Sequence, residues 1–225
     1  MIESVRVIGV RGRVGGAMGA RLVERGVPLR EGADVTLLCV PDRVIAEVAA
    51  GIEPGPWVAH VSGGTPLAAL DPHVRRFSLH PLQTFTRDRG ADQLDGAWAA
   101  VAGETKEARS IAVELAELLG LTPFVLADAN RALYHAGAVI ASNSLVTLRR
   151  IATELLEIAD VPAEALDPLM RRVIENGFQL TGPIERGDWE TVERHRAAIS
   201  AAAPDLLEAY DTLASLTART SGARA

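Results

Sequence analysis

Between residues 5 and 126, short continuous apolar runs alternate with segments whose apolar residues recur every three or four positions. That is the pattern of buried, mainly parallel strands joined by surface helices. The runs predict strands at 5–10, 35–40, 57–61, 75–79, 98–102 and 122–126. Helices are predicted at 16–25, 43–50 and 106–119. Met18, Leu22 and Val23 would face the sheet in the first of these. Ile111, Leu115, Leu118 and Leu119 form an apolar stripe in the last, and Gly120 stops it.

After Asp128 no strand-like run remains, and helical spacing continues almost to the end. The pattern therefore predicts an α/β domain at 1–127 followed by an all-α domain at 128–225. The first helix of that domain, 131–158, would be ~42 Å long at about 1.5 Å per residue, suited to a domain spine or a dimer interface. Asp167-Pro168 reads as a helix start with Asp as N-cap, and Asp188 before Trp189 as another. Residues 181–187 form a structured turn, Ala203-Pro204-Asp205 opens the last helix, and fraying is expected from Thr217 onward.

The first strand runs into Gly9-Val10-Arg11-Gly12-Arg13-Val14-Gly15. Strand, glycine turn and helix together hold a dinucleotide pyrophosphate on free helix N-terminal amides. Gly9, Gly12, Arg13, Val14 and Gly15 are the candidate phosphate-binding residues, with Arg11 adding charge. The spacing is GxxGxxG, one residue longer than the usual fingerprint. The same glycines would also serve a tight turn with close helix packing and no ligand. Only about twenty residues separate Gly15 from the next strand, room for one helix but not for the second strand that normally reads the adenosine ribose. Arg30 is the stand-in candidate for a 2′-phosphate contact. Pro41 and Ser62, each just past a strand, would border the nicotinamide of NADP or NAD.

A chain of 225 residues with 48% hydrophobic and 23% charged residues suits one or two soluble domains. A net charge of −6 without a basic run argues against nucleic acid. The lone Cys39, in an apolar run, reads as a buried inert thiol in a reducing, cytoplasmic setting. Neither a basic, apolar leader nor a membrane-length apolar run is present, so membrane partners are not expected. Of 23 basic residues 22 are arginine, which leaves Lys106 as the one lysine available for proton transfer.

Ser78-Leu79-His80-Pro81-Leu82-Gln83-Thr84-Phe85 puts polar groups in a predicted turn directly after a strand, where α/β enzymes place chemistry. On the long helix Tyr134, His135, Ser142 and Asn143 interrupt small apolar residues. At about 100° per residue His135 and Ser142 lie within about 20° of each other, and Asn143 about 80° from His135. An imidazole near pKa 6.5 exchanges protons around neutrality, so His135 and then His80 are the candidate catalytic residues. Gln83, Thr84, Ser142 and Asn143 are the candidates for holding substrate. The alternative is that these groups satisfy loop backbone and bridge the domains.

HPLQTF at 80–85, Leu133-Tyr134-His135-Ala136 followed by Ala141-Ser142-Asn143, and Thr181-Gly182-Pro183-Ile184 before Arg186-Gly187-Asp188 resemble an uncharacterised Rossmann-like family with a C-terminal helical domain of unknown function. It is similar to the 6-phosphogluconate dehydrogenase-like and pyrroline-5-carboxylate reductase-like NAD(P) oxidoreductases. The resemblance implies a Rossmann-like fold, hydride transfer between a nicotinamide and a small carbonyl or imine metabolite, and a homodimer formed through the helical domain; the short span after Gly15 adds that this Rossmann-like sheet is truncated. The chain departs from those relatives by the extra loop residue, the absent second strand and the absence of lysine from the long helix. The alternative function is a degenerate Rossmann protein that no longer binds dinucleotide and acts as a small-metabolite sensor or assembly partner.

Overall fold

The structure, a computed structural model, describes residues 1–221. Six strands form one sheet in the order β1-β2-β3-β4-β5-β6: β1 (Val5–Ile8), β2 (Val35–Leu38), β3 (Trp57–His60), β4 (Arg76–Leu82), β5 (Trp98–Ala102) and β6 (Thr122–Val125). Every pairing is parallel except β4 with β5, where Ser78 opposes Ala102 and Leu82 opposes Trp98. This is a mainly parallel α/β sheet followed by helices.

The central strands are buried on both faces, as their mostly apolar sequences require. Val35, Leu37, Phe77 and Leu79 pack with Met18 and Leu22 of α1 (Arg13–Glu24) and Leu115 of α3 (Lys106–Leu118). Leu38 and Val58 face the other way, onto Ile45 and Ala49 of α2 (Ile45–Ala50). Val23, placed against the sheet by the sequence pattern, is 59% exposed, because its neighbours Met18 and Leu22 already fill that face of α1. Thr105 caps α3 by accepting from the Ala108 amide at 3.0 Å, and Gly120 ends it at φ +78°.

The truncation is visible at β1, which is the edge strand of the sheet. Where the second strand is missing from the sequence, the only pairing among the described residues is a single parallel bridge between Val5 and Leu29. The Val5 amide donates to the Pro28 carbonyl (3.1 Å) and the Arg30 amide to the Val5 carbonyl (3.2 Å).

His80-Pro81-Leu82, expected in a turn, instead continues β4. Pairing with β3 stops at Ser78, so Pro81, which has no N–H to donate, sits where the strand has a partner on the β5 side alone.

The chain divides into two compact units, Met1–Ser142 and Asn143–Ala225. The texture of the sequence changes at Asp128, but α4 (Arg131–Val139) still belongs to the first unit, where Arg131 and Tyr134 bond to residues of β4. A π-helical turn, Ile140–Ser144, spans the division. The second unit contains α5 (Leu145–Ile158), α6 (Leu166–Glu175), α7 (Trp189–Ala202) and α8 (Leu207–Ser221). Asp188 caps α7 through the Thr191 amide at 3.1 Å. Asp167 is not an N-cap: α6 has begun by Leu166, behind the short turn Ala163–Ala165, and Asp167 pairs with Arg149 at 2.8 Å. Thr217–Ser221, expected to fray, are helical, and the rest of that expectation, 222–225, lies outside the described residues.

Candidate active site

The turn from β1 to α1 is built by close approach. Gly9 has φ +93°, and a Cβ on it would run into the Cys39 carbonyl oxygen; one on Gly15 would run into the Gly9 carbonyl. The glycines thus press the turn against the exit of β2. The Gly12 amide donates to Gly9 at 2.8 Å. Gly12 is the N-cap of α1 and makes no side-chain cap, which leaves the first-turn amides of Arg13, Val14 and Gly15 without intrahelical acceptors. Arg11 and Arg13 are exposed beside them. Cys39, below the turn, is half-buried, and desolvation pushes its thiol up to about 12.

Ser62 fixes the exits of β2 and β3 to one another. Its hydroxyl lies 2.7 Å from Asp42 Oδ2 and 2.8 Å from Thr65 Oγ1, and it accepts from the Gly64 and Thr65 amides at 3.2 and 3.0 Å. A hydroxyl so occupied orders the loop and is not spare for a ligand. Pro41 is exposed and leads into the short turn Asp42–Val44. Beneath this loop the Arg131 guanidinium is 2% exposed. It donates to Asp128 Oδ1 (2.9 Å), the Ser62 carbonyl (3.1 Å) and Ser78 Oγ. A buried cation with a hydrogen bond from each of its three nitrogens holds three chain segments together.

The two candidate catalytic histidines meet here. His80 and His135 lie edge to face with ring centroids 5.9 Å apart. Gly63 permits this: a Cβ there would come within 2.7 Å of His135 Cδ2 and 2.8 Å of His80 Nε2. His80 Nδ1 is 2.7 Å from the Tyr134 hydroxyl. Desolvation, with help from His135 and Arg131, lowers the His80 pKa to about 4, so the ring is neutral at pH 7. Burial raises the Tyr134 phenol to about 12, keeping it protonated. His60, on β3 and wholly buried, is likewise held at about 4 by desolvation and Arg131. His135 is half-buried and makes no hydrogen bond among the described residues.

The remaining candidates are placed differently. Gln83 and Thr84 are exposed past the end of β4, with the Gln83 side-chain oxygen accepting from the Thr84 amide at 2.8 Å. The Ser142 hydroxyl donates to the Ala138 carbonyl at 2.7 Å. Asn143 opens the second unit, and its carbonyl accepts from Thr147 Oγ1 at 3.3 Å. The exposed Arg30 guanidinium donates to Ser4 Oγ at 3.1 Å, beside the start of β1 and at the other end of that strand from Gly9.

Arg131 escaped the sequence pattern, and so did the parts that Asp42, Asp128 and Gly63 play at the site, although Asp42 and Gly63 follow predicted strands on this edge. The one local signal was Asp128 three residues before Arg131 at a helix start, an i,i+3 pair.

A glycine turn, two ordered strand exits and an imidazole pair therefore share the carboxyl edge of a parallel sheet, the arrangement of Rossmann-like α/β proteins. The chain belongs to the family of the domain of unknown function DUF2520, which matches residues 97–217. No curated protein matches it. Among solved structures it is similar to a proposed NADP oxidoreductase from Bacteroides fragilis, at TM-score 0.80 and 19% identity over 97% of this chain and 98% of that one. It is also similar to a protein from Thermotoga maritima, at TM-score 0.73 and 27% identity over 86% and 80%. A reductive aminase from Aspergillus terreus, solved with NADPH and ethyl levulinate, matches at TM-score 0.67 and 16% identity over 98% and 95%. No helix among the described residues is long and apolar enough to cross a membrane.

Proposed function

We propose that this protein is an NAD(P)-dependent oxidoreductase that reduces a small carbonyl or imine metabolite. The observation that carries the reading is the His80–His135 pair closing over Gly63 on the same sheet edge as the glycine turn. The turn suits a pyrophosphate: the first-turn amides of α1 lack intrahelical acceptors, and Gly9 and Gly15 let the turn pack tightly against the exit of β2. The ribose end has no strand to read it, so recognition there falls to other residues.

When bound, the nicotinamide supplies hydride to the carbonyl or imine carbon. The substrate heteroatom then needs a proton, and His135, with ring nitrogens free of internal partners, is the proposed donor. His80, neutral and tied to Tyr134, positions the His135 ring by edge-to-face contact. Gly9, Gly12, Arg13, Val14 and Gly15 hold phosphate, while Pro41 and the Ser62 loop border the nicotinamide. Gln83, Thr84, Ser142 and Asn143 are proposed to orient substrate.

The second unit supports a homodimer. Its buried apolar residues among those described are only Leu166, Val192, Ile199, Ala203 and Ala218, while Val146, Leu169, Ile174 and Phe178 are 54–72% exposed. A cytoplasmic setting agrees with the single inert thiol.

The test is consumption of NADPH by the purified full chain with a panel of small aldehydes, ketones and imines. Turnover should fall by about 100-fold in His135→Ala. If His135→Ala and His80→Ala both keep full turnover, the assignment is wrong. The reduced ribose-reading strand favours one other reading, a sensor of small anions without hydride transfer; phosphate binding without dinucleotide binding would select it.

A further inference from the structure

Beside the α1 N-terminus lies a cleft of about 290 Å³ whose walls carry Arg11, Arg13, Arg87 and Arg89. Two of these come from the glycine turn. The other two come from the 86–90 loop between β4 and β5, which no part of the hydride reading uses. Arg89 is paired with Asp92 at 2.6 Å. Arg11, Arg13 and Arg87 have no ion-pair partner among the described residues, and Asp88 in the same loop does not line the cleft.

We propose that this cleft is a phosphate-binding site that takes a phosphate monoester in addition to the pyrophosphate, and so selects NADPH over NADH. The inference rests on the dinucleotide reading for its biological ligand, but the phosphate chemistry can be tested apart from it. Charge matching carries it. The three unpaired guanidiniums and the helix terminus, worth about half a charge, exceed the two negative charges of a pyrophosphate diester. A phosphate monoester adds about −1.5 to −2 at neutral pH, which brings ligand and cleft close to balance. The planar guanidinium fork suits phosphate oxygens. Supply from the 86–90 loop also answers the loss at β1, where the strand that would carry a ribose-reading residue is reduced to one bridge and Arg30 is engaged with Ser4.

The experiment is calorimetric titration of the full chain and of the Arg87→Glu and Arg11→Glu variants with NADPH, NADH and adenosine 2′,5′-bisphosphate. Both residues are exposed, and thermal melts check that the variants fold. NADPH should bind the wild type at least about ten-fold tighter than NADH, and Arg87→Glu should remove that advantage by weakening NADPH far more than NADH. Equal affinities for the two dinucleotides, or a variant that weakens both alike, overturn the selectivity while leaving the hydride reading intact. If neither dinucleotide binds but the bisphosphate does, in an Arg87-dependent way, the phosphate site stands and the hydride reading falls. If none of the three binds, the site itself is refuted.

Discussion

His80 Nδ1 and the Tyr134 hydroxyl, 54 residues apart in the chain, lie 2.7 Å from each other. The bond ties β4 to α4 and fixes the ring that faces His135. Tyr134→Phe removes the partner of a mostly buried nitrogen, which should cost about 1–3 kcal/mol of folding stability. If His80 positions His135, the variant should also lower kcat by about ten-fold while leaving KM for NADPH unchanged. Urea unfolding and steady-state kinetics measure the two effects. Unchanged kcat in a folded variant would leave the bond a purely structural role.

Acid sensitivity follows from His60 and His80. Desolvation holds both near 4 in the folded protein, whereas an unfolded histidine titrates near 6.5. Between those values the unfolded chain binds protons that the folded chain refuses. Stability from these groups is therefore complete above about pH 6.5, falls as the pH drops, and levels off below about 4. The slope should be at most about 1.4 kcal/mol per pH unit for each histidine. Urea midpoints between pH 7 and 5 lie above the range in which carboxylates titrate, and His60→Gln or His80→Gln should flatten the curve there. A midpoint that is constant or rises on acidification in that window contradicts the buried neutral rings.

Gly63→Ala is the sharpest steric probe of the imidazole pair. Its methyl would meet both His135 and His80 inside contact distance, so the rings must separate or the Ser62 loop must move. A stability loss of about 1–3 kcal/mol is expected, with turnover reduced far more than dinucleotide affinity, because the glycine turn is built from other segments. A variant with wild-type turnover would show that the close approach serves packing alone.

The sequence pattern located the fold well where burial is uniform. All six strands appear within a few residues of their expected bounds, because their short, mostly apolar runs stand out between helical segments, most plainly in the buried β2, β3 and β5. It failed at β4, where Pro81 reads as a turn residue and only the missing β3 partner beyond Ser78 makes a strand possible. At the site, the histidines could be named from their place on a strand end and a small-residue helix. Arg131 could not, since an arginine in sequence looks like surface, and its burial depends on Asp128, Ser62 and Ser78 converging from three segments. The arginine cleft was half legible: Arg11 and Arg13 stand in the glycine motif, but nothing local links them to Arg87 and Arg89, more than seventy residues away. His80 reads in sequence as a titrating residue, and only the enclosed structure turns it into a neutral one.

Dinucleotide binding is the most direct measurement on the proposed site. In calorimetric titration of the purified full chain with NADPH, micromolar affinity is expected, weakened at least ten-fold when Gly15→Ala drives a methyl into the Gly9 carbonyl and deforms the turn. An absence of binding by NADPH and NADH up to millimolar concentration, in protein that melts cooperatively, would contradict a nicotinamide site on this sheet edge.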